Sequence, residues 1–259
     1  MSGIGVRLGR LFRKDSGRSF MVAFDRTLLE GPSPHAADAS ATLDRILATR
    51  PEAVLIGPGL IKQFGTKFGH AGAPSIVARI DYPMVAEFRQ AGTELYRMVL
   101  DPEHAAQLGA DAAVMCLIDG FEDPQNAADN IAAVAEAAHR CHDVGLPLIV
   151  EAVLWGGRNA DQQDAERLAV TSRIAAELGA DAIKTQYPGS IEGMQRIAGS
   201  CPVPVLVLGG AARDGAGVER MTTDAIAGGA RGVIFGRNVW QRDDVGPVAE
   251  MLHRLVHAG

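Results

Sequence analysis

Leu178-Gly-Ala-Asp-Ala-Ile-Lys-Thr-Gln-Tyr-Pro-Gly189 is the stretch from which the fold can be read. A helix ends at Glu177-Leu178-Gly179, with Gly179 suited to the left-handed cap position that follows a last helical turn. Asp181–Lys184 is a short apolar strand, and Pro188-Gly189 closes the loop after it. Lys184 therefore stands at the carboxyl end of a buried strand. An ammonium there is costly unless it is paired or loses its proton. Snorkelling or a structural ion pair would also account for it.

The same unit recurs along the chain: apolar strand, loop, helix, and often Gly-Ala before the next strand. Strands are expected at Phe20–Phe24, Ala53–Gly57, Ser75–Ile80, Ala112–Leu117, Pro147–Ala152, Asp181–Lys184, Val203–Leu208 and Gly232–Phe235. The junctions Gln107-Leu-Gly-Ala-Asp111, Glu177-Leu-Gly-Ala-Asp181 and Ala227-Gly-Gly-Ala-Arg231 are near copies of one another. Helices are expected over 36–49, 126–144, 162–178, 190–199, 216–228 and 246–257, while 60–74 and 82–109 are less regular. Apolar strands separated by helices imply a parallel sheet covered on its outer face. Eight such units in 259 residues fit a single (β/α)8 TIM-barrel domain, α/β in class, spanning 1–259. A doubly wound open sheet fits less well, because no Gly-x-Gly-x-x-Gly follows the first strand. Residues 4–14 form a short basic amphipathic helix, suited to plugging one end of the barrel rather than to lying on a membrane.

Composition narrows the function. The net charge of −6, without basic clusters, argues against nucleic acid as a partner. No apolar run reaches transmembrane length and no signal-peptide pattern opens the chain, so a cytoplasmic protein is expected. Cys116, Cys141 and Cys201 are expected to be reduced thiols, Cys116 a small core residue rather than a nucleophile. His139 and His142 lack further ligands at metal spacing and are assigned to an exposed helix face.

A TIM barrel builds its site at the carboxyl ends of its strands. Gly209-Gly210 after the seventh strand and Gly236-Arg237 after the eighth offer backbone N–H groups and a cation in the two loops that usually hold phosphate. Lys184 lies on the strand next to that cradle, where a primary amine can form an imine with a phosphorylated ketone or aldehyde. At a pKa of about 10.4 only about one lysine in a few thousand is neutral at pH 7, so desolvation or a nearby cation must assist. Arg26, Lys62, Arg158 and Arg237 are the candidate cations. Asp25 and Glu151 are carboxylates at the ends of apolar strands, suited either to proton transfer or to holding one of those cations. Glu151 is expected to face Lys184 with a raised pKa, as a proton donor. Tyr187, in the loop after Lys184, is the reserve.

The chain resembles the Schiff-base (class I) aldolases typified by archaeal fructose-bisphosphate aldolase. Their relatives include aminodideoxyheptulosonate synthase and autoinducer-2 phosphate thiolase. The resemblance runs over nearly the whole chain. It is carried by Arg7-Leu-Gly-Arg-Leu-Phe12, Val22-Ala-Phe-Asp25 with Glu30-Gly-Pro32, Ala180-Asp-Ala-Ile-Lys-Thr185, Cys201-Pro-Val-Pro204 with Gly209-Gly210, and Gly236-Arg-Asn238. It implies Lys184 as the imine lysine, Asp25 in acid/base work, phosphate on the last two loops, no cofactor or metal, and a ring-shaped homo-oligomer. Two motifs depart from the pattern. Asp25-Arg26-Thr27 replaces Asp-His-Gly, whose histidine the thiolase uses. Val153-Leu-Trp-Gly156 replaces Tyr-Pro-Arg-Gly, whose tyrosine donates a proton in the aldolases. The leading expectation is thus an aldolase acting on a phosphorylated keto compound. A thiolase-like or synthase-like transferase and a lapsed sugar-phosphate binder are the alternatives.

Overall fold

The computed structural model describes residues 2–31, 33–85, 94–159 and 161–258. Its strands in chain order are β1 (Ser19–Phe24), β2 (Ala53–Ile56), β3 (Ser75–Arg79), β4 (Asp81–Met84), β5 (Leu95–Met98), β6 (Ala112–Ile118), β7 (Leu148–Val153), β8 (Ala182–Thr185), β9 (Val205–Leu208) and β10 (Gly232–Phe235). Eight of them close into a parallel barrel in the order β1-β10-β9-β8-β7-β6-β3-β2, and all eight expected strands are among them. The helices are α1 (Ser2–Leu11), α2 (Arg26–Glu30), α3 (Ala39–Ala48), α4 (Pro58–Phe64), α5 (Pro102–Gln107), α6 (Pro124–Asp143), α7 (Ala165–Glu177), α8 (Ile191–Ser200), α9 (Gly215–Ala227), α10 (Arg237–Trp240) and α11 (Gly246–His257). Side-chain caps begin several of them: Asp164 accepts from Glu166 and Arg167, Ser190 from Gly193, and Asp214 from Gly217. None of the described helices is long and apolar enough to cross a membrane.

Strand alternation divides the core in two. One set of side chains faces the helices, as Val22, Phe24, Val54 and Ile56 do. The other fills the barrel: Met21, Ala23, Leu55, Val77, Val114, Ile149, Ala182, Leu206 and Ile234. Leu11 belongs to this inner cluster, with Leu8 and Phe12 packed against it, so the N-terminal segment is a plug. Its polar contacts show which end it closes. Arg7 donates to the Gly145 carbonyl, Arg10 pairs with Asp111 and Arg13 with Glu52, all just before the amino ends of strands. The opposite end stays open.

The irregular region 82–109 contains an antiparallel hairpin, β4 paired with β5, for which no strand was expected. Each strand is four residues long and Pro83 interrupts one of them, so neither carries a readable alternation. Part of that region, 86–93, lies outside the described residues. Glu94 ties the start of β5 to the barrel mouth. Its carboxylate accepts from the Gly157 amide (2.6 Å) and the Glu122 amide (2.7 Å), in the loops after β7 and β6.

Leu11 is wholly buried in the plug, so Leu11→Ala should lower stability by about 2–5 kcal/mol. Val6→Ala, at a position 59% exposed on the same helix, should stay within about 0.5 kcal/mol of wild type. Urea unfolding of both variants checks this, and equal midpoints would show that α1 does not close the barrel.

Candidate active site

At the carboxyl ends of the strands lies a cavity of about 530 Å3. Its walls include Asp25, Glu151, Lys184, Gly209, Gly210, Gly236 and Arg237, the residues singled out from the sequence. Alternation explains the meeting. Inner residues Ala23, Val77, Val114, Ile149 and Ala182 are each followed two positions later by Asp25, Arg79, Cys116, Glu151 and Lys184. The register sets Cys116 beside Glu151 and Glu151 beside Lys184 on neighbouring strands. The uppermost layer of an apolar barrel is therefore charged.

Those charges form a continuous chain of contacts. Lys184 Nζ lies 2.8 Å from Glu151 Oε1. Glu151 Oε2 accepts from Arg79 Nη1 at 2.7 Å, and the same nitrogen reaches Asp25 Oδ2 at 3.2 Å. Arg79 Nε is 2.6 Å from Asp81 Oδ1, Nη2 donates to Cys116 Sγ, and Asp81 Oδ2 accepts from the Cys116 amide at 2.7 Å. All of these side chains are buried. Asp25 also precedes α2, yet its side chain makes no capping hydrogen bond, which leaves the carboxylate to the cavity.

Burial alone would raise the Glu151 pKa, but the charges of Lys184 and Arg79 outweigh it and hold the carboxyl at about 2. The expected raised pKa is thereby corrected: with both cations beside it, Glu151 is an ionised acceptor rather than a resting acid. Asp81 shifts upward, since burial there exceeds the pull of Arg79. Burial likewise pushes the Cys116 thiol well up, as befits an inert core residue. Tyr187 lines the cavity, but its hydroxyl donates to Asp224 at 3.1 Å, and burial with that carboxylate pushes its pKa to about 12. Val153, at the aldolases' tyrosine position, is wholly buried and does not line the cavity; Trp155 and Gln186 do.

Of the four candidate cations, Arg237 and Arg26 line the cavity, Arg26 with both carboxylate oxygens of Glu30 at 2.5 Å. Lys62 is exposed on α4, and Arg158 lines a separate outer cavity. The cation that bridges Asp25, Asp81 and Glu151 is Arg79, which the sequence reading passed over. Its signal was parity: Arg79 is two residues after the inward Val77. Arg213 was also missed; it lines the cavity from the loop after β9.

The glycine loops are built for close approach. A β-carbon on Gly236 would sit 2.7 Å from the Ala23 carbonyl, which also accepts from the Trp240 indole at 2.9 Å. Asn238, buried just beyond, donates to the Gly209 carbonyl and accepts from the Arg213 amide, both at 2.8 Å, and so locks the two loops together. Arg237 is braced on the Gly210 carbonyl at 2.8 Å. Its pKa is lowered by burial and then by the neighbouring charge of Arg26, an arrangement an anion would relieve. His142 pairs with Asp181 at 3.2 Å, away from this site. Among the described residues, Glu52, His253 and His257 cluster closely enough to share a metal, at the plugged end. Arg13 already binds both Glu52 and His253 there.

Comparison with known proteins identifies the family and agrees with the fold. The sequence pattern of DeoC/LacD family aldolases matches residues 19–242. A 2-amino-3,7-dideoxy-D-threo-hept-6-ulosonate synthase of Halobacterium salinarum is 31% identical over 265 residues, covering 99% of this chain and 92% of its own. A 3-hydroxy-5-phosphonooxypentane-2,4-dione thiolase of Salmonella paratyphi A is 29% identical over 262 residues, covering 98% of this chain and 82% of its own. A Schiff-base-forming fructose-1,6-bisphosphate aldolase of known structure superposes with a TM-score of 0.84 at 25% identity, over 98% of this chain and 99% of that one.

The Glu151 carboxyl should stay ionised well below pH 4, where exposed glutamates protonate. Because its folded pKa is depressed, its stabilisation is present above the unfolded value of about 4.3 and lost as pH falls toward about 2. Removing the larger of the two countercharges, in Lys184→Met, should move its protonation upward. Infrared difference spectra against Glu151→Gln, recorded between pH 2 and 6, would show this; an unshifted band in Lys184→Met would refute the pairing.

Proposed function

The chain belongs to the DeoC/LacD family of aldolases, and from that premise we propose that it makes or breaks a carbon–carbon bond in a phosphorylated ketone through an imine on Lys184. The observation that carries this is the buried Lys184–Glu151 pair at 2.8 Å, in one cavity with the glycine loops and Arg237. The protein is a class I aldolase by family and needs no metal, because the iminium itself is the electron sink. We take residues 1–259 as one catalytic domain of a cytoplasmic, ring-shaped homo-oligomer.

The steps follow from the contacts. Glu151 takes a proton from the Lys184 ammonium, and the neutral amine attacks the keto carbon. A phosphate dianion entering the cavity raises the proton affinity of the Glu151 carboxylate, which assists that transfer. Glu151 returns the proton to the carbinolamine hydroxyl, water leaves and the iminium forms. Asp25 then removes the proton from the substrate hydroxyl. The carbon–carbon bond breaks, the aldehyde departs and its bonding electrons pass into the iminium to give an enamine. Protonation of the enamine and hydrolysis release the ketone. Arg237 and the amides of Gly209, Gly210 and Gly236 hold the phosphate.

A panel of phosphorylated ketones and aldehydes, each with its unphosphorylated analogue and in the presence of EDTA, tests this proposal. Wild type should turn over at least one phosphorylated member, and Lys184→Met none. Arg237→Ala should weaken phosphorylated ligands by about one to two orders of magnitude, from a charged hydrogen bond of about 1.5–3 kcal/mol, and hardly affect the analogue. Loss of activity in EDTA, or an equal loss for both ligand classes, would count against it.

A further inference from the structure

Arg79 has no part in these steps, yet it is the most heavily engaged charge in the site. It is 1% exposed and contacts groups on three other strands and one loop: Asp81 on β4, Cys116 on β6, Glu151 on β7 and Asp25 on the loop leaving β1. Tyr96 on β5 is buried close to Asp81. The β4–β5 hairpin thus supplies two buried groups behind the guanidinium, and Lys184 on β8 faces Glu151 from the far side.

We propose that Arg79, clamped by the β4–β5 hairpin, is a positioning residue of the aldol reaction that holds Asp25 and Glu151 in place as two separate bases on different walls of the cavity. The proposal rests on Lys184 being the imine lysine. Asp25 and Glu151 both accept from one nitrogen, Nη1, at 3.2 and 2.7 Å, so the two acids are neighbours. Two carboxylates so placed repel one another unless a cation lies between them. Lys184 cannot fill that role throughout, because it is neutral when it attacks. An arginine stays charged at any working pH, so its pull on both carboxylates persists while the lysine nitrogen changes charge. Its fork also reaches Asp81, Cys116 and the two bases at once, which a lysine cannot do.

The full-length Arg79→Met and Arg79→Lys variants separate charge from geometry. Two readouts are needed: the pH profile of kcat/KM, and exchange of the substrate carbonyl oxygen with 18O water, which reports imine formation and its hydrolysis. Arg79→Met should move the acid limb of kcat/KM upward by at least about one pH unit, since Glu151 loses one of two countercharges. Arg79→Lys should keep the wild-type limb but lose about 10- to 100-fold in kcat with KM little changed, the expected cost of misplaced bases. If Arg79→Met does not fold, Arg79→Lys alone decides. Wild-type kcat in that variant, or a shifted limb, overturns the proposal. Absence of 18O exchange in the wild type would instead overturn the imine reading, whatever the Arg79 variants do.

Discussion

A charge taken out of water must be matched by another, and the open end of this barrel is built around that constraint. Asp25, Arg79, Asp81, Glu151 and Lys184 lie together in one buried layer, three carboxylates against two cations. Each is tolerable only because of the others: Glu151 sits between Lys184 and Arg79, and Arg79 among three acids. Removing one partner would leave a buried charge uncompensated, so the layer acts as a unit. Parallel register puts Cys116, Glu151 and Lys184 side by side, and the hairpin supplies Asp81 from outside the barrel.

The same network is what the proposed mechanism draws on for acid/base chemistry in place of the tyrosine that the resemblance to class I aldolases implies. Val153 fills that place as a buried core residue, and the only tyrosine lining the cavity, among the described residues, is bound to Asp224. What remains close to Lys184 is a carboxylate whose proton affinity depends on the lysine's own charge. While Lys184 is an ammonium, Glu151 holds no proton; when that charge is lost, the carboxylate is the nearest place for the proton to go. In the proposed mechanism, a phosphate held at Arg237 would join the same electrostatic balance. On that proposal the substrate's charge would serve the chemistry as well as recognition.

The barrel was legible because each of its strands is a short apolar run, and the repeated Gly-Ala junctions mark where a helix gives way to the next strand. The hairpin was not legible, since its strands are too short to show alternation and Pro83 breaks one of them. Asp25, Glu151 and Lys184 stood out as charged residues at the ends of apolar strands. Arg79 carries the same signature, one residue before the end of its expected strand just as Glu151 is, and only the closed barrel shows it to be the cation between the acids. The direction of the Glu151 shift failed for a different reason. Burial is readable along one strand, whereas the two cations that reverse its effect come from β3 and β8 and meet it only in the closed barrel.

The central claim is that Lys184 becomes covalently bound to substrate. Incubation with a phosphorylated ketone substrate followed by borohydride, then peptide mass mapping, addresses it directly. The account predicts a single adduct, with the mass of the reduced substrate, on the peptide containing Lys184, and none on that peptide in Lys184→Met. An active enzyme that yields no adduct, or one on another lysine such as Lys62, would contradict it.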